Sequence, residues 1–329
     1  MKNNWLENIK RRKLSRKDFL KTCLLTLCAI PLLGRLLESS QGEASALEAA
    51  PFNGRSKRGL KGLCDLAVVQ GDDPYKITVK VIDELGGMDK FVQAGDVVVI
   101  KPNIGWDRTP EQGANTNPAV VRALIDMVKA SGAKKVKIFD VTCNDPRRCY
   151  ANSGIEEVAK AAGVEVFIPE EWNTVRAAFN YDSPMQGWPV LKDAIECDVF
   201  INVPVLKNHS ITGLTLSMKN LMGVCSGDRG LIHQDIGRKL VDITDFISPD
   251  LTVIDGYRYL KAHGPTGGDL KDVVLLKTII AGTDPTLCDA YAAQLVGYDP
   301  MSIPYINAAK ERRFGSFDID GANKKIVEV

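Results

Sequence analysis

The sequence predicts an α/β protein: a mostly parallel, doubly wound sheet with helices on both faces, and room for two sub-domains. Two observations carry that expectation. Short apolar runs alternate with segments of helical period along most of the chain, the βαβα pattern of parallel sheets. Several runs, such as 96–100 and 199–205, are near-continuous in apolar residues, as suits strands covered on both faces. The composition agrees: 329 residues, 45% hydrophobic and 25% charged, make an ordinary globular mixture. A formal net charge of +1 provides no field for nucleic acid, which is excluded as a partner.

Taken in order, 63–70 (LCDLAVVQ) reads as the first strand. A helix over 74–85 follows, with Tyr75, Val79, Ile82 and Leu85 at helical spacing and a Gly86-Gly87 stop. The strand over 96–100 closes at Lys101, Pro102 and Asn103, because Pro102 has no N–H for a ladder. A long polar loop, 104–116, then leads to Asn117 as cap and Pro118 at the first helical position. Loops of that length are uncommon unless they do something. A strand over 136–139 ends at Asp140, a helix spans 153–162, and 164–168 is the next strand. Residues 172–196 hold Pro184, Gly187, Trp188 and Pro189 and no clean period, so they read as an irregular excursion with a short antiparallel element. Ile236, Leu240, Ile243 and Phe246 mark a helix. A strand over 251–254 is closed by Asp255-Gly256, and another spans 273–281. Asp284-Pro285 starts a helix over 286–296 as its cap and first residue. A last helix spans 303–313, and the tail, 319–329, adds an edge strand.

The first 46 residues stand apart. A basic stretch (KRRKLSRKDFLK, 10–21) precedes an uncharged apolar run, 22–33, and a small-residue stretch ending in Ala44-Ser45-Ala46. This is the order of an export signal with an A-x-A-like cleavage site. The apolar run is well short of the roughly 20 residues a membrane-spanning helix needs. Ser15 to Lys21 resembles the twin-arginine signal S-R-R-x-F-L-K, except that Lys17 stands where the second Arg belongs. The expectation is an exported, periplasmic or extracytoplasmic protein that uses the twin-arginine machinery. The membrane is met only through export or an uncleaved signal. Residues 47–62 read as a linker, and 63–318 as one α/β domain with its excursion at 170–196.

The candidate site centres on 199–224 (VFINVPVLKNHSITGLTLSMKNLMGV). An apolar run ends in Lys207, Asn208 and His209, a turn at Gly213 follows, and a helical segment carries Lys219 and Asn220. Ligands of open α/β sheets bind beyond the carboxyl ends of strands, where helix N-termini point free N–H groups. The junction is therefore read as the floor of a site for a small anionic ligand. Lys207, His209 and Lys219 are the candidate catalytic residues. His209 is the favoured base or metal ligand, because imidazole titrates near neutral pH. Lys101, Asn103, Asn220, His233, Asp255, Gly267 and Asp289 are the candidate binding residues. The lysines would neutralise carboxylate or phosphate, and the aspartates would orient a histidine or hold a cation. Gly267 belongs to a glycine-rich loop, 263–268, whose N–H groups could approach an anion, although the Walker order is missing.

Six cysteines follow the signal region, and only Cys143 and Cys149 are close in sequence. Three readings stay open for them: a disulfide, two ligands of a metal site, or inert buried thiols.

The ordered set VVVIKPN, TNPAVVRALIDMVKASGAKKV, INVPVLKNHSITGLTLSMKNLMGV, LTVIDG, GPTGG and IIAGTDPTLCDAYAAQLVG resembles the family catalogued as domain of unknown function 362. The likeness runs from about Leu63 to about Phe314. It implies the α/β fold more firmly than any activity. Some members carry iron–sulfur clusters, so an iron–sulfur cluster or a divalent metal is an implied cofactor and oxidoreductase work an implied activity. The ferredoxin-type run C-x-x-C-x-x-C-x-x-x-C is missing here. Three functions remain in play: an exported enzyme or cofactor protein, a metal or iron–sulfur redox protein, and a non-catalytic ligand receptor.

Overall fold

The computed structural model describes residues 51–58 and 64–329, so the export-signal reading lies outside the described residues. A small sheet joins β1 (Pro51–Phe52), β6 (Thr174–Ala177) and β7 (Pro189–Leu191). The main sheet contains β2 (Leu66–Gln70), β3 (Val97–Pro102), β4 (Lys135–Ile138), β5 (Glu165–Val166) and β8 (Val199–Val203). It also takes in β9 (Val205–His209), β10 (Gly213–Thr215), β11 (Leu251–Leu260), β12 (Val273–Gly282) and β13 (Lys324–Glu328). Its order is β13-β2-β12-β11-β8-β3-β4-β5, with the β9–β10 hairpin attached to β11.

Most neighbours are parallel, including β3 with both β4 and β8. Strand β12 is the reversal: it runs antiparallel to β11 and to β2. The architecture is thus α/β with a mixed, mostly parallel sheet.

Period-two alternation sends each strand's side chains to two separate cores. Val98, Ile100, Val199, Ile201 and Val203 pack on one face with α1 (Pro74–Glu84), α2 (Pro118–Ala130), α3 (Pro146–Asn152) and α4 (Ile155–Ala161). Val99 and Phe200 point to the other face. There they join α6 (Ser217–Asn220), α7 (Ile236–Ile247), α8 (Pro285–Leu295) and α9 (Pro304–Glu311). The short α5 (Lys192–Ile195) follows β7. Among the described residues no helix is long and apolar enough to cross a membrane.

Local signals fix several elements as expected. Asn117 caps α2 through its side chain, and Asp284 caps α8. The excursion at 172–196 does contain an antiparallel pair, β6 with β7. Other boundaries differ. Ser153 ends α3 rather than starting a helix, and α4 begins after Gly154, whose φ is +72°. Helix α3 has its own start signal, Asp145 accepting the Arg148 N–H and Pro146 in the first turn, within a stretch read only for its cysteines. Strand β11 does not close at Asp255-Gly256 but runs on to Leu260, because β12 pairs with it across the whole length. The apolar run at 199–205 breaks at Pro204, and the polar Lys207, Asn208 and His209 belong to a second strand, β9, instead of a loop.

Candidate functional site

Because β9 is a strand, its residues alternate. Lys207 and His209 face one way, into a cavity of about 310 Å³. Asn208 faces the other way, where it accepts the Gly264 N–H (3.1 Å). The cavity opens beyond the carboxyl ends of β3 and β4. Asn103, Trp106, Asp140, Cys143, Lys207, His209, Thr215, Lys219, Asn220, Gly223, Arg229 and His233 all line it.

The floor is a closed polar network. Lys101 is 0% exposed, and its Nζ lies 2.7 Å from Asp140 Oδ1. It also donates to Pro102 O (2.8 Å) and Asn220 Oδ1 (3.2 Å). Asp140 Oδ2 accepts the Ile104 N–H at 2.6 Å. Asn220 completes the floor by donating to Asn202 Oδ1 (2.9 Å) and Lys101 O (3.2 Å) and accepting from Asn103 Nδ2 (3.0 Å). Gly223 lies against this pair so closely that a Cβ there would sit 1.8 Å from Asp140 Oδ1 and 2.7 Å from Lys101 Nζ. Burial lowers the Lys101 pKa, with Asp140 working in the opposite direction.

Above the floor the cations are less well matched. Lys207, 1% exposed, donates to Ala114 O (2.5 Å) and Asn103 Oδ1 (3.2 Å). Lys219, 7% exposed, meets only soft or neutral atoms, Met222 Sδ at 3.2 Å and His233 Nε2 at 3.4 Å. Among the described residues neither lysine has a carboxylate within 4.0 Å, in contrast to Lys101. Burial pushes Lys207 down to about 7 and Lys219 down to about 8. The neighbouring cations Lys219 and Lys101 add to the effect on Lys207, and Arg229 to that on Lys219. Arg229 spends its guanidinium on the carbonyls of Val141 (2.9 Å) and Thr142 (2.5 Å).

The two histidines stack, with ring centroids 6.0 Å apart and planes 18° apart, but they have opposite hydrogen-bonding roles. His209 Nδ1 accepts two backbone N–H groups, from Ile211 (3.1 Å) and Thr212 (3.3 Å). Its proton is therefore on Nε2, which makes the ring a fixed donor. Burial and the nearby Lys219 push its pKa down to about 3. This geometry corrects the expectation of His209 as a base or metal ligand, because freeing its Nε2 lone pair would set an N–H against two others. His233 is the reverse case. Its Nδ1 faces Gly230 O (3.3 Å), which leaves the Nε2 lone pair toward Lys219.

Lys101 lies beneath the cavity without lining it, and three further candidates do not reach it either. Asp255 accepts the backbone N–H groups of Asn117 (2.7 Å) and Tyr257 (3.0 Å), tying the start of α2 to β11. Burial pushes it up to about 6. Asp289 accepts from the N–H and hydroxyl of Ser217 (2.8 and 2.5 Å) and from the Met218 N–H (3.0 Å). It clasps the N-terminus of α6, the helix that carries Lys219 and Asn220, and burial pushes it up to about 7. Gly267 belongs to a loop packed on β9: a Cβ on Gly264 would meet Asn208 O at 1.9 Å, and Gly267 O accepts from Arg108 (3.4 Å). Close packing explains these glycines, and only Pro265 of the loop lines the cavity.

Cys143 and Cys149 are free thiols, the first exposed at the cavity edge and the second buried. Burial pushes Cys149 up to about 11. Among the described residues no three His, Cys, Asp or Glu side chains are grouped to hold a metal ion. The described cysteines therefore do not fit an iron–sulfur cluster.

Sequence reading left several contributors unassigned. Arg229 and Thr215 carry no signal beyond lying between site elements. Thr215 Oγ1 is buried without a partner on the cavity wall. Asp140 stands just past a strand end, the signal used for Lys101, and its pairing needed the structure.

The family model described as Domain of unknown function (DUF362) matches residues 98–294, more than half of the chain. A thylakoid-associated protein of Synechocystis sp. is 31% identical over 240 residues, covering 70% of this chain and 72% of that protein. Among solved structures, the lactate racemase apoprotein of Thermoanaerobacterium thermosaccharolyticum gives a TM-score of 0.48 at 12% identity. That match covers 76% of this chain and 63% of the other. A Thermotoga maritima protein gives a TM-score of 0.35 at 14% identity, over 56% of this chain and 51% of that one.

Proposed function

The chain belongs to the DUF362 family, and from that premise we propose that its cavity binds a small organic anion. The supporting observation is the pairing of Lys207 and Lys219, both nine-tenths buried and both without a carboxylate within 4.0 Å among the described residues. A buried cation is costly unless it is paired. A ligand carboxylate or phosphate arriving between the two lysines supplies the missing charge. The His209 Nε2–H and the Thr215 hydroxyl add neutral hydrogen-bonding groups, and Trp106, Ile211 and Met222 give the cavity an apolar side suited to a carbon skeleton. The expected ligand is thus a small carboxylate or phosphate ester rather than a bare ion.

Thermal unfolding with malonate, inorganic phosphate and the neutral analogue malonamide tests this. The anions raise the midpoint and malonamide does not; Lys207→Ala and His209→Ala abolish the anion response. An unchanged response in both variants rejects the site.

We further propose that the protein acts outside the cytoplasm. The basic and apolar order of residues 10–46 favours this, as does the thylakoid association of the Synechocystis relative. Fractionation of cells expressing the full chain, with and without Arg16→Lys combined with Lys17→Gln, tests it. Export is expected for the unaltered chain and retention for the variant.

A further inference from the structure

We propose that Lys219 is an imine-forming lysine and that the anion bound in the cavity carries a carbonyl group, as a 2-oxo acid does. This deepens the anion-binding reading and rests on it.

Lys219 shares a place on the cavity lining and a desolvated amine with Lys207, but differs from the other lysines of the site in its acceptors and its histidine neighbour. Lys101 is locked by Asp140 and two further acceptors. Lys207 is held by Ala114 O and Asn103 Oδ1, two oxygen acceptors that fix where its Nζ points. Lys219 has only a thioether sulfur and an imidazole lone pair. A thioether is a weak acceptor, so little energy is lost when the amine turns toward a ligand. Second, Lys219 lines the cavity, which brings its side chain within reach of a bound ligand. Third, the surroundings favour the neutral amine, since burial and the nearby Arg229 both act against the ammonium. Nucleophilic lysines are activated in this way, by desolvation or by an adjacent cation. Fourth, the lone pair of His233 Nε2 lies 3.4 Å from Nζ and is held in place by the Nδ1 contact to Gly230 O.

The step balances without a redox partner. Neutral Nζ attacks the carbonyl carbon, forming the N–C bond while the C=O π pair moves to oxygen. His233 Nε2 takes one proton from nitrogen and passes it to that oxygen, giving the carbinolamine hydroxyl. It then takes the second nitrogen proton and gives it to the hydroxyl as that group departs, so the carbonyl oxygen leaves as water and the neutral C=N bond forms. Lys207 and the His209 Nε2–H remain to hold the ligand's carboxylate.

The test incubates the folded protein with pyruvate or glyoxylate and sodium cyanoborohydride, then maps the reduced conjugate by peptide mass spectrometry. Malonate, which cannot form an imine, serves as competitor and as the independent probe of anion binding. The expected result is one conjugate per chain, on Lys219, suppressed by malonate and absent from urea-unfolded protein at the same rate. Lys219→Arg keeps the positive charge but has no nucleophilic amine; it should lose the conjugate at least tenfold while still unfolding cooperatively in urea. A conjugate on Lys207, or labelling no faster than in the unfolded chain, overturns the imine assignment. If malonate still stabilises the protein in that case, the anion-binding reading survives. If malonate also fails, both are lost.

Discussion

Lys101 and Lys219 are both buried lysines beside one cavity, yet they are built for different ends. Lys101 is enclosed by Asp140, Asn220 and the Pro102 carbonyl, and Gly223 is pressed against the pair. Every charge there has an opposite charge, and the result is a rigid floor. Lys219 sits on a wall with a sulfur and an imidazole for company. The difference teaches which buried charge is architecture and which awaits a ligand. A paired charge stabilises the geometry already present, whereas an unpaired one lowers stability until something arrives.

That contrast can be broken most forcefully at the floor. Gly223→Ala forces a methyl group into the Lys101–Asp140 pair, and Asp140→Ala leaves Lys101 unpaired; each should cost about 3–5 kcal/mol in chemical denaturation. If either is nearly neutral, the floor is not the rigid element described. Asp289→Ala comes next. It strips the acceptor from Ser217 and Met218, with an expected loss of about 1–3 kcal/mol. Malonate binding should weaken too, because α6 positions Lys219. On the wall the sign reverses: Lys219→Met should stabilise the unliganded protein at neutral pH by about 1–2 kcal/mol while removing its response to malonate. Last, Gly267→Ala should cost about 1 kcal/mol, since its φ of +56° strains any side chain, and leave malonate binding unchanged. Lost binding there would restore the glycine loop as an anion cradle.

The pH dependence sharpens the same comparison. Lys207 and Lys219 fall from 10.5 to about 7 and about 8 on folding. The unfolded chain therefore binds more protons across that window, and stability rises with pH from about 7 to 10.5. Asp255 and Asp289 move the other way, from 3.8 up to about 6 and about 7. Their contribution is complete below 3.8 and is lost as pH climbs through the folded values. Urea titrations across pH should thus find the unliganded protein least stable near neutrality, with saturating malonate flattening the alkaline limb.

Much of the fold was legible because its signals are local. Asn117-Pro118 and Asp284-Pro285 announce two helices, and continuous apolar runs announce β3 and β8. The strand β9 was hidden because its polar residues look like a loop; only the neighbours β10 and β11 make Lys207 to His209 a ladder. For the site, strand-end position singled out Asn103, Lys207 and His209, and the helical segment after the junction added Lys219 and Asn220; these five and His233 line one cavity. It could not separate roles. Asp289 and Lys219 look equally functional in sequence, and only the hydrogen bonds show that one clasps a helix and the other faces the cavity. The tautomers of His209 and His233 likewise depend on backbone groups that no side-chain pattern encodes.

The most direct test of the central claim is proton linkage. Malonate binding is measured by titration calorimetry near pH 8, about the folded pKa of Lys219, in buffers of different ionisation enthalpy. If the anion supplies the charge that Lys207 and Lys219 lack, it raises both pKa values, and binding takes up a fraction of a proton that shrinks toward zero in more acidic solution. Binding with no proton uptake near pH 8, or no binding at all, contradicts the account.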